Sequence, residues 1–295
     1  MSVLVVGSLC IDHTLYVSDL PAPGETVIAR SALSSFGGKG ANQALAAKRA
    51  GGEVSFLACV GDDAAGRDYR KFFEEAGIEM SSLVVDSDHP TGSAFLGVES
   101  SGENSIIINP GANHALRPEH LDAREALFEM SSILLLQLEI PLDTTRHACR
   151  LARKHGVTIV INPSPWTDEF NTTKFPCDIL IVNEHEAALF LKQEKLPKTS
   201  GFLAEHQLQA FVTTQGAHDT IAFARDQEPL EISPPQVEVV DTVGAGDAFA
   251  GALAVALAEH KPFSEALPFA NAAGALSVTK PGAQGATPTR EEILE

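Results

Sequence analysis

Short, mostly apolar runs alternate with stretches of helical composition along this chain, and that alternation limits its fold more than any other feature. Residues 3–6, 54–60, 133–136, 157–161 and 179–182 are dominated by Val, Ile, Leu and small residues. Residues 41–50, 66–76, 142–154 and 184–191 between them read as helices, and residues 210–213 lead into a further run at 220–224. Strands apolar along their whole length need cover on both faces, which predicts an α/β fold with a parallel sheet between helical layers. Ligand sites in such sheets form at the carboxyl ends of the strands. The 295 residues suffice for one large α/β domain with a small appendage.

Two stretches break the alternation. Residues 11–30 contain Pro21, Pro23 and Gly24, and residues 92–109 read as a hairpin turning at 100–104. Both are β-like and have no helix to cover them, so a small accessory sheet is expected outside the main body. No internal repeat or low-complexity segment interrupts the chain.

Charge and cysteine usage remove several function classes. A net charge of −18 weighs against a non-specific nucleic-acid or anionic-membrane surface, since both need clustered Lys and Arg. A protein this acidic that binds a phosphate must use backbone N–H groups, a few local cations and a metal. Cys10, Cys59, Cys149 and Cys177 are scattered without a C-x-x-C pair and read as reduced core residues of a cytosolic protein. Residues 1–7 read as a strand start rather than a signal peptide, and no apolar run approaches the ~20 residues of a membrane span. None of the histidines has H-E-x-x-H spacing, and no G-x-S-x-G nucleophile elbow occurs.

The segment from Asp241 to Gly251 (DTVGAGDAFAG) places two glycines and a carboxylate where an alternating run at 237–240 meets a helix over 248–258. The glycines permit a tight bend, and the first-turn N–H groups of the helix favour an anion. Asp247 beside such an anion hole repels phosphate, which makes sense if it takes the proton of an attacking hydroxyl. Asp is also a frequent helix cap, and from this turn alone both readings stand.

A second glycine-rich segment, Phe36 to Gln43 (FGGKGANQ), has the wrong spacing for a P-loop or a dinucleotide fingerprint. It reads either as a close-approach loop for a small polyhydroxylated ligand or as a tight turn carrying surface polar groups. Asp12, Glu139, Asn162 and Asn183 each follow an apolar run, so polar groups recur along one rim of the expected sheet.

With both segments present, and Gln137-Leu138-Glu139, Asn162-Pro163 and Asn183-x-x-Glu186 between them, the chain resembles the ribokinase-like (PfkB) carbohydrate kinases over residues 3–294. The resemblance implies a three-layer α/β/α domain over residues 1–295 with a mainly parallel sheet and a β-sheet lid formed by 12–34 and 92–109. It implies ATP-dependent phosphorylation of the 5-hydroxyl of ribose. Family members acting on fructose or nucleosides usually lack Lys39-Gly40, which favours ribose; a kinase for another pentose such as deoxyribose, or for a nucleoside, is the alternative. A sugar or nucleotide sensor without turnover would gain nothing from Asp247.

Carried over by position, the resemblance makes Asp247 the catalytic base and Gly244, Ala245 and Gly246 the anion hole. Asp12, Gly38, Lys39, Asn42 and Glu139 would hold the sugar. Asn183, Thr214, Gly216, Gly246 and Asn271 would meet ATP, with Glu186 acting on Mg²⁺ through water. A monovalent cation, K⁺, would lie against Asp241, Val243, Ser277, Lys280, Gly282 and Ala286, mainly through carbonyl oxygens. The sequence departs from the family pattern at Asp219, where glycine is usual, and at Pro281 and Ala286. A cytoplasmic homodimer joined through the lid is the expected assembly.

Overall fold

The computed structural model describes residues 2–101, 103–193, 195–197 and 199–295. Its strands in chain order are β1 Ser2–Val6, β2 Cys10–Tyr16, β3 Ser31–Gly37, β4 Glu53–Leu57, β5 Cys59–Gly61, β6 Val84–Asp86 and β7 Ser93–Val98. There follow β8 Asn104–Asn109, β9 Ile133–Leu136, β10 Thr158–Ile161, β11 Ile179–Asn183, β12 Ala210–Gln215, β13 His218–Ala224 and β14 Leu230–Ile232. The main sheet has eight strands in the order β14-β13-β12-β11-β10-β9-β1-β4. It is parallel from β4 to β12 and antiparallel over the last two strands.

The apolar runs are buried on both faces, as their composition requires. Along β1, Val3 and Val5 enter one core, while Leu4 and Val6 enter the other. Helices Lys39–Arg49, Ala245–Ala258 and Phe263–Ser277 cover the first face, and helices Leu142–Lys154 and Glu184–Leu191 the second. Each fully buried Val or Leu contributes about 1.5–3 kcal/mol, so the two cores lock the strand order. Helix Ala245–Ala258 crosses Lys39–Arg49 at backbone contact: a Cβ on Gly251 would lie 2.6 Å from the Gln43 carbonyl oxygen.

Three expectations are corrected. The run at 54–60 is two strands, because β4 pairs with β1 whereas β5 leaves the main sheet to pair with β6. Residues 237–240 form no strand; Pro234 and Pro235 precede them, and the Val240 N–H goes to the Val278 carbonyl at 2.7 Å instead of to a ladder. Of the β-like stretch 11–30, only its beginning is a strand, and the proline-containing segment 17–30 connects β2 to β3.

A separate four-stranded sheet has the order β3-β2-β7-β8, with β2 and β7 parallel in register. It contains the expected hairpin β7–β8; Gly102 within the hairpin's turn lies outside the described residues. This sheet leaves Leu15, Phe95 and Ile107 exposed at 42%, 46% and 71%.

Candidate active site

The turn before helix Ala245–Ala258 is built as its glycines suggest. Gly244 sits in the left-handed region at φ 82°, a conformation costly for any residue with a Cβ. The Ala245 N–H bonds to the Thr242 carbonyl, and the N–H groups of Gly246 and Asp247 have no protein acceptor among the described residues. These two donors at a helix N-terminus face the space where an anion is stabilised.

Asp247 does not cap this helix. Gly244 is the N-cap and receives no side-chain hydrogen bond. The buried Asp247 carboxylate instead accepts one amide N–H on each oxygen: Asn42 Nδ2 at 2.9 Å on Oδ2, and Gln43 Nε2 at 2.9 Å on Oδ1. Both amides come from the first turn and a half of helix Lys39–Arg49. The backbone contact at Gly251 brings that helix close enough to reach.

Lys39, at the start of the same helix, lies among acids. Burial alone would lower its ammonium, but Asp247, Glu139 and Glu186 together raise it above the ordinary lysine value, so it stays charged. Glu139, just past β9, is raised by burial, an effect that the Ser8 hydroxyl at 2.5 Å and the Lys39 N–H at 2.9 Å, both donating to Oε2, partly offset. Asp12 on β2 is likewise raised by burial and accepts from the Cys10 thiol at 2.9 Å. The accessory sheet therefore sets the Asp12 carboxylate against Gly37, and the main body sets that of Glu139 against the Lys39 N–H.

A cavity of about 530 Å³ joins the remaining candidates. Lys39, Asp247 and the turn Gly244–Gly246 lie on its lining together with Asn183, Glu186, Thr214, Gly216 and Asn271. Asp12, Gly38, Asn42 and Glu139 are not on the lining, so Lys39 and Asp247 stand between the two groups. One apolar wall contains Val237 and Val239, from the segment that failed to form a strand.

Asn183 caps helix Glu184–Leu191 in a reciprocal box: Glu186 N–H donates to its side chain, and its own N–H donates to Glu186 Oε2 at 3.0 Å. Asn271 commits its amide to the protein, accepting from Thr220 at 2.7 Å and donating to the Ile232 carbonyl at 3.0 Å. Gly216 takes φ 58° in the β12–β13 turn, and Asp219 lies within β13, where no left-handed residue is needed.

Asp241 ties two loops together, accepting the Val243 N–H at 3.0 Å and the Gly282 N–H at 2.8 Å. The main-chain carbonyls of Asp241, Val243, Ser277, Lys280, Gly282 and Ala286 accept none of the turn, cap or side-chain hydrogen bonds among the described residues. Unclaimed oxygens of this kind suit a large, weakly hydrated cation. Among the described residues no group of three or more His, Cys, Asp or Glu could hold a metal. A donor set of Glu186 alone fits Mg²⁺, which keeps its waters and takes phosphate oxygens, better than a metal needing an all-protein cage.

Two polar residues of the site, Gln43 and Gln284, are not singled out by the sequence reading. Gln43 is marked by its place at the end of the glycine-rich segment; Gln284 donates to Asn42 Oδ1 across 242 positions, a separation no local pattern reports.

A model of the pfkB family of carbohydrate kinases matches residues 1–290. A ribokinase of Haemophilus influenzae is 36% identical over 99% of this chain and 96% of its own length. A deoxyribokinase of Salmonella typhi is 32% identical over 100% of this chain and 98% of its own. The structure of Arabidopsis thaliana ribokinase complexed with ribose and ATP superposes with a TM-score of 0.90 at 30% identity, covering 99% of this chain and 97% of that one.

Proposed function

The chain belongs to the pfkB family of carbohydrate kinases and is a sugar phosphotransferase, and we propose that its reaction is transfer of the γ-phosphoryl group of ATP to the 5-hydroxyl of D-ribose. The observation that carries this reading is the double amide clamp on Asp247, which leaves the carboxylate beside an anion-binding turn with no capping task of its own.

In this mechanism Asp247 accepts the proton of the 5-hydroxyl as that oxygen attacks phosphorus in line. At the Gly244–Ala245–Gly246 turn, where Ala245 gives its own N–H to the Thr242 carbonyl, the free N–H groups of Gly246 and Asp247 take up the charge that develops on the transferring group. Asp12, Gly38, Lys39, Asn42 and Glu139 hold the sugar. Because both ends of the Asn42 amide are engaged, by Asp247 and by Gln284, its share in this is chiefly to fix the base. Lys39, kept charged by three carboxylates, faces the reacting groups from the sugar side. Asn183, Thr214, Gly216, Gly246 and Asn271 border the nucleotide.

Mg²⁺, held through water by Glu186, would neutralise phosphate charge. K⁺ among the carbonyls of Asp241, Val243, Ser277, Lys280, Gly282 and Ala286 would fix the turn from outside. The four-stranded sheet acts as a lid over 12–34 and 92–109 that excludes water, the competing nucleophile. Its exposed Leu15, Phe95 and Ile107 suit contact with a second copy in a cytoplasmic homodimer. Among the described residues no helix is long and apolar enough to cross a membrane.

Coupled ADP release tests the reading across D-ribose, 2-deoxyribose, fructose and nucleosides. Ribose as the best substrate supports it. A preference for deoxyribose, the reading favoured by the Salmonella relative, would reassign the sugar while leaving the chemistry in place. Absence of ADP release with every sugar would overturn it.

A further inference from the structure

Two chains of buried carboxamides converge on Asp247, and one of them leads out to the accessory sheet. In the first, Gln137 Nε2 donates to Gln43 Oε1 at 2.6 Å, and Gln43 Nε2 donates to Asp247 Oδ1 at 2.9 Å. In the second, Gln284 Nε2 donates to Asn42 Oδ1 at 3.0 Å, and Asn42 Nδ2 donates to Asp247 Oδ2 at 2.9 Å. Every amide in both arms points its N–H toward the carboxylate. The second arm continues, because Gln284 Nε2 also donates to the Tyr69 hydroxyl at 2.6 Å, and that hydroxyl donates to the Gly37 carbonyl at 2.6 Å. Gly37 is the last residue of β3, the point where the accessory sheet meets helix Lys39–Arg49.

Apart from Asp247 none of these side chains is on the cavity lining, and Gln43, Gln137, Tyr69 and Gln284 are at most 3% exposed. Packing alone does not account for them. Among the described residues Gln137 Oε1 and Gln284 Oε1 are buried without a hydrogen-bond partner, so each of these two glutamines leaves its acceptor unsatisfied while its Nε2 is engaged. Apolar residues of similar volume would avoid that penalty. What the glutamines supply is direction: the carboxylate plane is fixed from both oxygens, and one of the two fixings depends on where β3 ends.

We propose that Gln43, Gln284 and Tyr69 are positioning residues for Asp247, and that the Tyr69–Gln284–Asn42 arm ties the orientation of the base to the root of the accessory sheet. The proposal rests on Asp247 being the base. Correct alignment then depends on β3 sitting where it holds the Gly37 carbonyl over Tyr69. A misplacement of about 1 Å at a reacting group is worth about 10²-fold in rate, which sets the scale.

The test uses Tyr69→Phe, Gln284→Leu and their double variant in the full chain, with Asp247→Asn alongside. Turnover is measured at saturating ATP and ribose, ribose affinity by calorimetry, and folding by thermal melting. Tyr69→Phe removes one oxygen from a buried ring and should lower kcat roughly 10-fold, with ribose Kd changed less than about two-fold. Gln284→Leu should cost more. The double variant should match Gln284→Leu alone, since a broken arm cannot be broken twice; two independent packing defects would multiply instead. Wild-type kcat in Tyr69→Phe, a ribose Kd that rises in step with the loss of kcat, or multiplying effects in the double variant would each overturn the proposal. Should Gln284→Leu fail to fold, the kcat and Kd of Tyr69→Phe decide the matter. A normal Tyr69→Phe beside an inactive Asp247→Asn refutes the arm alone, whereas an active Asp247→Asn refutes the base.

Discussion

Replacing Asp247 by Asn changes one atom at the end of two converging donors, and the defect it creates can be traced through the buried amides. Both carboxylate oxygens accept an N–H, from Asn42 and from Gln43. The new carboxamide can accept only one of them; its own NH₂ must face the other donor. Rotating Asn42 to receive it turns the Asn42 NH₂ against Gln284 Nε2, and rotating Gln284 in turn takes the Tyr69 hydroxyl from the Gly37 carbonyl. At least one buried group is left unpaired wherever the defect comes to rest, which costs about 1–3 kcal/mol of stability. Turnover should fall by about 10²–10⁴-fold, the usual worth of a general base. The two losses can be separated. Combining Asp247→Asn with Asn42→Asp exchanges donor and acceptor across the 2.9 Å contact and satisfies every partner again. Melting temperature should return most of the way to wild type while coupled ADP release stays at the level of the single variant. Recovery of activity along with stability would refute the assignment, because Asp247 would then be a structural acceptor and nothing more.

Glu139→Gln should raise the melting temperature of the sugar-free protein at pH 7 while weakening ribose binding at least ten-fold by calorimetry. Burial holds the folded Glu139 carboxyl above its ordinary value of 4.5, so ionisation favours the unfolded chain. The variant's advantage is therefore present above the folded value and fades as pH falls through 4.5; an advantage independent of pH would contradict this. Asp241→Ala should abolish the preference for K⁺ over Na⁺ in kcat, and the unaltered protein should lose turnover in a tetramethylammonium medium free of potassium. Full activity there would rule out an ion-organised turn. Ile107→Asp should convert a dimer to a monomer in light scattering, and a monomeric wild type would dispose of the lid interface.

How much of the molecule is legible in its sequence depends on the range of the interactions involved. The parallel sheet is implied by residue types, because runs such as 133–136 and 179–182 hold no polar residue that could face water. The rim residues Glu139, Asn183 and Asp247 are marked by their positions after strands or before a helix. Residues 237–240 alternate as a strand would, yet a strand needs a neighbour, and Pro234 and Pro235 have already withdrawn two donors. The division of 54–60 is hidden because no polar or turn residue stands between Leu57 and Cys59, and the two strands part only in their partners, β1 for β4 and β6 for β5. The bonds of Asn42 to Asp247 and Gln284 are equally hidden, since those two partners stand 205 and 242 positions away.

The helix that carries Asp247 is among the most deeply enclosed elements of the molecule, with ten of its residues from Ala248 to Ala258 essentially lost to solvent. Asp12 instead rides on the four-stranded sheet, whose outermost strand β8 is exposed along its whole length. Amide protons should record that contrast, exchanging slowest along Ala248–Ala258 and orders of magnitude faster in β7 and β8. Under mild denaturant the outer sheet should therefore open as a unit of its own, well before the body unfolds. In that regime the chain would forget which sugar it takes while its base stood unmoved, and withdrawal of the denaturant would restore discrimination without any refolding of the core.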